Sequence, residues 1–415
     1  MQFFKPRVYA DAAAATPLSS GAHKELSRLL YIYGNPSGLH KEALAAKSEL
    51  ESAREKVAEV LGAHADEIVF TSGGTEANTL ALAGALGAIV DSSWQAQVIT
   101  SSIEHPSVLE PLRAIANEEK IVLHELVVDE RGIVSTDLIK ETITDDTVLI
   151  SVQLINSEIG TIQNIREIAK LVRHVRRERN SRSEGMTWPS GPERPSGGIS
   201  LPLLLHVDAS QAPLWMKLGV EQLGVDLMTL DGQKICGPKG VGALFVRRGI
   251  NLMPQVLGGG QERGLRSGTE NVPLIGSFTV ALAEAQANAE KNSKMISFVR
   301  DFMWSEIKKN IPQAELNGAE GEARVANNCN ISIPGLVGDM AVLSLDAHGV
   351  AASTRSACST EDEAPSYVIR GLGKSPEMAR GAIRLTLLPT ATMADARHIA
   401  QLLKKVVNRY ANVLQ

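Results

Sequence analysis

"EIVFTSGGTEANTLALAGALGAIV", Glu67 to Val90, decides how the rest of the chain is read. It opens as a short apolar run with β-branched and aromatic residues, the composition of a buried strand, and that run stops at Thr71. Gly73 and Gly74 follow, where the backbone turns sharply and a ligand can approach closely. From Thr75 the alanine- and leucine-rich continuation predicts a helix running to Val90. A strand feeding a helix through a glycine turn is the building unit of an α/β sheet. The same turn makes an anion site, because unpaired N–H groups and the helix dipole face one spot. A plain turn capped by Thr75 fits these residues equally well, so the stretch alone leaves both roles open.

The unit recurs on both sides. "AQVITS", "DTVLISV", "LPLLLHVD" and "VDLMTL" are further strand candidates, separated by helix-length segments such as Ser107 to Glu119 and Ile165 to Arg179. This alternation predicts an α/β fold: a large domain with a mostly parallel sheet flanked by helices, its ligands beyond the C-terminal strand ends. Helical periodicity from Val272 to Asn310 leads into "NCNISI", "GAIRLTL" and a last helix from Met393 to Val413, which reads as a smaller α+β domain. Residues 18–290 are expected to form the large domain, and residues 1–17 with 291–415 the small one. Asn180 to Ser200, rich in Ser, Gly and Pro, reads as an exposed insertion, and the basic run Arg173 to Arg182 before it as a solvated helix end.

Composition narrows the function. The chain has 415 residues, 44% hydrophobic and 21% charged, with a formal net charge of -5, as expected of a soluble globular protein. Binding to nucleic acid or to an anionic membrane rests on a basic surface, which this balance argues against. No signal-peptide pattern opens the sequence, and Leu80 to Val90 is too short to span a bilayer, so a cytoplasmic location is expected. Cys236, Cys329 and Cys358 are too few for a disulfide framework and lack metal-ligand spacing; no metal is expected.

"LDGQKICGPKG", Leu230 to Gly240, holds Lys234 in a glycine-bracketed turn between two strand-like runs. A partly desolvated amine held so is suited to covalent chemistry with a carbonyl. "LLLHVDASQAP" delivers Asp208 at a strand end, with Gln211 three residues on. A carboxylate there is costly without a cationic partner, and a protonated pyridine nitrogen is one; capping the turn is the plainer role. "TSSIEHPSV" puts His105 at another strand-to-helix junction, where an imidazole can stack on a ring, relay a proton or serve structure. The cradle at Gly73, Gly74 and Thr75, with Asp208, His105 and Lys234, together matches pyridoxal 5'-phosphate (PLP). Its phosphate needs the cradle, its ring nitrogen the carboxylate and its aldehyde the lysine. Cys358 lies in "GVAASTRSACSTEDEAPSY", a small, polar run without periodicity, expected to be an exposed loop with Arg355 close enough to favour a thiolate. Cys236 and Cys329 read as packing residues.

Taken in order, "YADAAAATP", "YGNPSGLH", "IVFTSGGTEANTLAL", "SSIEHPSV", "NSEIGTIQ", "HVDASQ", "KICGPKGVGALFVRR", "GGGQERGLRSGT", "RSACS", "PSYVIRGLG" and "AIRLTL" run through nearly the whole chain. They resemble the cysteine desulfurases of the NifS/IscS kind, within the class V aminotransferase superfamily of fold type I PLP enzymes. The resemblance implies that Lys234 carries the cofactor, His105 stacks on its ring, Asp208 pairs with the pyridine nitrogen and Gln211 meets the ring hydroxyl. It implies Gly74 and Thr75 at the phosphate, joined by Thr269 from the second subunit of a homodimer. Arg384 matches the arginine that grips the substrate carboxylate, a task for a bidentate guanidinium, and Asn35 falls in a motif of the substrate side. Cys358 matches the cysteine that receives sulfur from L-cysteine, leaving alanine. Its long polar loop is similar to the group I arrangement, which passes sulfur to an acceptor protein such as an iron-sulfur scaffold or a tRNA-thiolating enzyme.

The chain departs from that family at the site itself. Asp231 and Gln233 stand where serine and histidine usually donate to the phosphate, Gln261 replaces a frequent histidine, and Ser157 replaces an asparagine. An ionised Asp231 about 4 Å from a phosphate would be unfavourable by roughly 4 kcal/mol per charge pair at an effective dielectric near 20. It must therefore turn away, pair with a cation or take a proton. Two other readings stay open: another class V PLP enzyme, such as a selenocysteine lyase or aminotransferase, and a non-catalytic, desulfurase-like protein that binds partners.

Overall fold

The computed structural model describes residues 7–89, 95–183, 202–354 and 365–413. Its centre is a seven-stranded sheet in the order Ile68–Thr71, Gly242–Val246, Leu227–Asp231, Leu204–Asp208, Thr147–Ser151, Ala96–Ser101 and Ile121–Leu126. Leu227–Asp231 and the four strands after it in that order pair in parallel, whereas Gly242–Val246 runs antiparallel to both its neighbours. The reversal has a simple cause. The segment between Asp231 and Gly242 is a tight turn around Lys234, too short for the helical crossover that a parallel return needs.

Helices cover both faces, so the inner strands are buried along their whole length and read as continuous apolar runs rather than alternating ones. Gly74–Ile89 and Pro106–Asn117 pack together on one side. Val272–Asn310 is one unbroken helix that passes residue 290 and packs against Ser20–Leu29, Lys41–Leu61 and Met393–Val413. Asn271 caps it by accepting from the Leu274 N–H at 3.2 Å, Pro273 occupies the first turn where its missing N–H costs nothing, and Lys308 and Lys309 face the negative end of the dipole. Ile275, Phe278, Leu282, Ile296, Met303 and Ile307 form its buried stripe, each contributing about 1.5–3 kcal/mol of transfer free energy.

A second, antiparallel sheet orders Ala382–Thr386, Asn328–Ser332 and Glu315–Leu316. Beside it Val8–Tyr9 pairs in parallel with Val350–Ala351. The segment after Tyr9 then crosses to the large sheet, where the Thr16 N–H donates to the Gln233 carbonyl at 2.8 Å. This crossing brings both the N-terminal strap and Arg384 of the small sheet to the C-terminal ends of the large-sheet strands. The Asn180–Ser200 stretch falls almost wholly outside the described residues.

Candidate active site

One cavity of about 200 Å³ opens at those strand ends. Its lining includes Gly74, Thr75, His105, Ser157, Asp208, Gln211, Asp231, Gln233, Lys234 and Arg384, so ten residues singled out from the sequence converge on one space.

The strand Leu204–Asp208 ends in Asp208, which accepts from the Asn78 amide at 2.8 Å and from the Ser210 N–H at 2.9 Å. Asn78 lies on the buried face of the Gly74–Ile89 helix, and its amide also donates to the Ser107 hydroxyl at 2.8 Å. His105 caps the Pro106–Asn117 helix: its Nδ1 accepts from the Ser107 N–H at 3.1 Å. With Nδ1 an acceptor, the neutral ring carries its proton on Nε2. Burial pushes the pKa of His105 below its usual 6.5, the charge of Asp208 opposing the shift, so the ring is neutral at physiological pH. Beneath the site His206 is held between the hydroxyls of Ser151 and Thr229, and burial drives its pKa down to about 4. Two neutral imidazoles thus flank the Asp208 carboxylate.

Lys234 sits in a short 3-10 turn, Gly232–Lys234, and its Nζ donates to the carbonyls of Ala13 at 2.9 Å and Ala14 at 2.6 Å. The N-terminal strap therefore holds the amine at the cavity. The Gln211 amide donates to the same Ala13 carbonyl at 2.9 Å. Arg384 is only 1% exposed; Nη2 donates to Asp11 at 2.8 Å and Nη1 to the Ser157 carbonyl at 3.2 Å, while the buried Nε makes no hydrogen bond.

The strand, glycine turn and helix form around Gly73 and Gly74, with the helix beginning at Gly74, one residue before Thr75. Gly73 has φ +150°, a conformation that side chains disfavour. A Cβ on Gly74 would lie 3.2 Å from both the Ser210 hydroxyl and the Asp231 Cβ, tight enough to close the pocket floor. Asp231 does not turn away from this floor. It is 7% exposed, its Oδ2 lies 3.3 Å from where that Gly74 Cβ would stand, and both its oxygens accept from Gln233. Burial pushes its pKa above the usual carboxylate value, with the charge of Lys234 acting against the shift.

Asn35 and Thr269 are not brought to the cavity. Both are exposed, and Asn35 caps its own turn by accepting from the Ser37 N–H at 3.0 Å. Cys358 lies outside the described residues. Cys329 is fully buried and its pKa is pushed up to about 11, consistent with packing; burial also raises that of the half-buried Cys236. Asn78, Ser107, Gln153, Ser210 and Asp11 were not singled out from the sequence, although Asn78 stands as a polar intruder in an apolar helix and Ser210 lies between two flagged residues.

The profile of the class V aminotransferases matches residues 8–177 and 202–399, and its break falls over the expected insertion. Over 412 residues the sequence is 35% identical to the cysteine desulfurase IscS of Dictyoglomus turgidum, spanning 99% of this chain and 96% of that one. A solved NifS-like protein superposes with a TM-score of 0.85 at 28% identity, covering 97% of this chain and 99% of its own. A second solved structure, described as SspA in complex with cysteine, gives 0.75 at 28% identity over 93% of this chain and 100% of its own. The chain belongs to the class V aminotransferase family, in its cysteine desulfurase branch of the IscS and NifS kind.

PLP is the cofactor of that family, and the site fits it. The fit rests on the glycine floor that a Cβ would close, the amine at the turn, the anchored carboxylate at a strand end and a neutral imidazole, all facing one cavity.

Proposed function

We propose that this protein is a PLP-dependent cysteine desulfurase that converts L-cysteine to L-alanine and places the sulfur on Cys358. The observation that carries the reading is the convergence of Lys234, Asp208, His105 and Arg384 on one cavity, in a chain of the cysteine desulfurase branch. Bound there, PLP supplies an electron-poor ring that stabilises the charge released when the substrate Cα–H bond breaks.

The chain's own residues divide the remaining work. Lys234 holds the cofactor aldehyde and afterwards moves the Cα proton. Asp208, fixed by Asn78 and Ser210, keeps the ring nitrogen protonated, and the neutral His105 stacks on the ring without adding a competing positive charge. Gln211 meets the ring hydroxyl, and Gly74, Thr75 and Gln233 face the phosphate. Arg384 grips the substrate carboxylate; its unpartnered Nε is a buried donor still to be satisfied. The Cys358 thiolate attacks the substrate sulfur: a C–S bond breaks, an S–S bond forms, the thiol proton ends on the alanine methyl, and a persulfide remains.

Residues 18–290 carry the cofactor in this reading, and 1–17 with 291–415 carry Arg384 and Cys358. A homodimer is part of it, with Asn35 and Thr269 completing the partner's site. The exposed Tyr31, Tyr33 and Leu39 beside Asn35, and Leu257 on the approach to Thr269, support an apolar surface that a second copy covers. The sulfur then passes to an acceptor protein in the cytoplasm, for iron-sulfur cluster assembly or tRNA thiolation. Among the described residues no helix is long and apolar enough to cross a membrane.

Purified protein given PLP should gain visible absorbance and, with L-cysteine and a thiol reductant, release alanine and sulfide in equal amounts, whereas Lys234→Ala should do neither. Protein that binds PLP but forms no alanine from cysteine would refute the assignment.

A further inference from the structure

The phosphate end of the site holds a group of the wrong sign. Asp231 ends the strand Leu227–Asp231, is buried and points at the floor formed by Gly73 and Gly74: its Oδ1 lies 3.9 Å from where a Cβ on Gly73 would stand, and its Oδ2 3.3 Å from one on Gly74. Among the described residues its hydrogen bonds come from its own turn: the Gln233 N–H reaches Oδ1 at 3.2 Å and the Gln233 amide reaches Oδ2 at 3.1 Å. The titratable and charged groups that share its surroundings are Lys234 on the same turn, Asp208 on the neighbouring strand, and the neutral His105 and Arg384 on the lining of the same cavity. Among the described residues no arginine forms an ion pair with it. Lys234, whose charge acts most directly on it, is committed to the cofactor aldehyde in the proposed reading, and Arg384, on the lining of the same cavity, is engaged by Asp11.

Building on the PLP reading above, we infer that Asp231 serves as a protonated phosphate ligand: the site takes up one solvent proton with PLP, and the neutral carboxyl donates it to a phosphate oxygen. One carboxyl oxygen keeps its bond from the Gln233 N–H and the other turns its O–H to the phosphate. Burial already raises this carboxyl's pKa, and a nearby phosphate raises it further, so the complex holds a proton that the free protein surrenders as pH rises. Affinity for PLP therefore falls with rising pH. Pyridoxal, which lacks the phosphate, escapes this dependence.

The test compares the full-length protein, stripped of cofactor, with its Asp231→Asn variant by equilibrium titration with PLP and with pyridoxal between roughly pH 7 and 9, where the phosphate is largely dianionic. The ratio of Kd values for PLP, wild type over Asp231→Asn, should climb by about tenfold per pH unit once the free carboxyl ionises, towards a hundredfold or more. The same ratio for pyridoxal should stay flat. Calorimetry of the wild type in two buffers of different ionisation enthalpy supplies a reading that needs no variant: near pH 8, PLP should take up about one proton more than pyridoxal does. A PLP ratio that does not change with pH, or no excess proton, overturns the inference while leaving the cofactor assignment intact. Failure of both proteins to bind PLP at any pH overturns that assignment and this inference together.

Discussion

Replacing Glu104 with glutamine should make the protein gain stability, relative to wild type, as the medium becomes more alkaline. Glu104 precedes His105, is fully buried, and accepts from the Ser101 hydroxyl at 2.5 Å and the Gln153 N–H at 2.8 Å. Burial drives its pKa from 4.5 to about 8; the hydrogen bonds from Ser101 and Gln153 oppose the rise and the charge of Asp208 adds to it. Between those two values the folded protein keeps a proton that the unfolded chain has lost, so folding stability declines as pH climbs through the window. Each pH unit costs about 1.4 kcal/mol, giving a penalty on the order of 3 kcal/mol at neutral pH and of 5 kcal/mol near pH 8. The Glu104→Gln protein lacks this titration, and a glutamine can accept from the Gln153 N–H while its amide donates to the Ser101 hydroxyl. Urea unfolding of both proteins, followed by circular dichroism in steps from acid to mildly alkaline pH, reads the difference. The variant should be no more stable than wild type in acid and should overtake it as pH rises. Parallel profiles, or a wild type that gains on the variant with pH, would show that Glu104 is ionised in the fold.

Asp208→Asn should retain PLP but lower kcat by about a hundredfold or more, measured as alanine formed at saturating cysteine, because the ring nitrogen loses its charged partner. Arg384→Lys should raise KM for cysteine more than it lowers kcat, since a lysine cannot reproduce the guanidinium fork that meets Asp11 and the Ser157 carbonyl. Glu262→Ala should cost about 3–5 kcal/mol in chemical unfolding: it strands the buried Arg54, whose two terminal nitrogens each meet Glu262 at 2.7 Å, and removes the acceptor of the Phe70 N–H. His105, held neutral by burial, should show the imidazole pattern of its Nε2–H form by nitrogen NMR below the pH at which an exposed histidine takes its proton.

The parts of this site legible in the sequence share one physical trait: local order alone places them. Asp208 ends an apolar strand, Lys234 sits between two, and Gly74 lies in the turn from a strand into a helix, so the rule that ligands lie beyond strand ends gathers all three. Asn78, Gln153 and Asp11 were missed because each lies in a segment whose buried direction depends on what packs against it. The reversed strand Gly242–Val246 could have been foreseen from its short connection, which leaves no room for a crossover. Asp231 was recognised as misplaced, but only the fold shows that it faces the glycine floor rather than solvent. The sequence offered Asn35 and Thr269 through resemblance, and a single chain leaves both outside the cavity.

Where the sulfur of cysteine goes decides whether this protein is the desulfurase proposed above. Protein loaded with PLP, mixed with L-cysteine without reductant, quenched and digested, should yield the peptide containing Cys358 heavier by one sulfur atom, together with an equivalent of alanine. The added mass should disappear in Lys234→Ala and on treatment with a thiol reductant. Alanine formed at the wild-type rate by Cys358→Ala, or sulfur found on Cys236 or Cys329 instead, would contradict it.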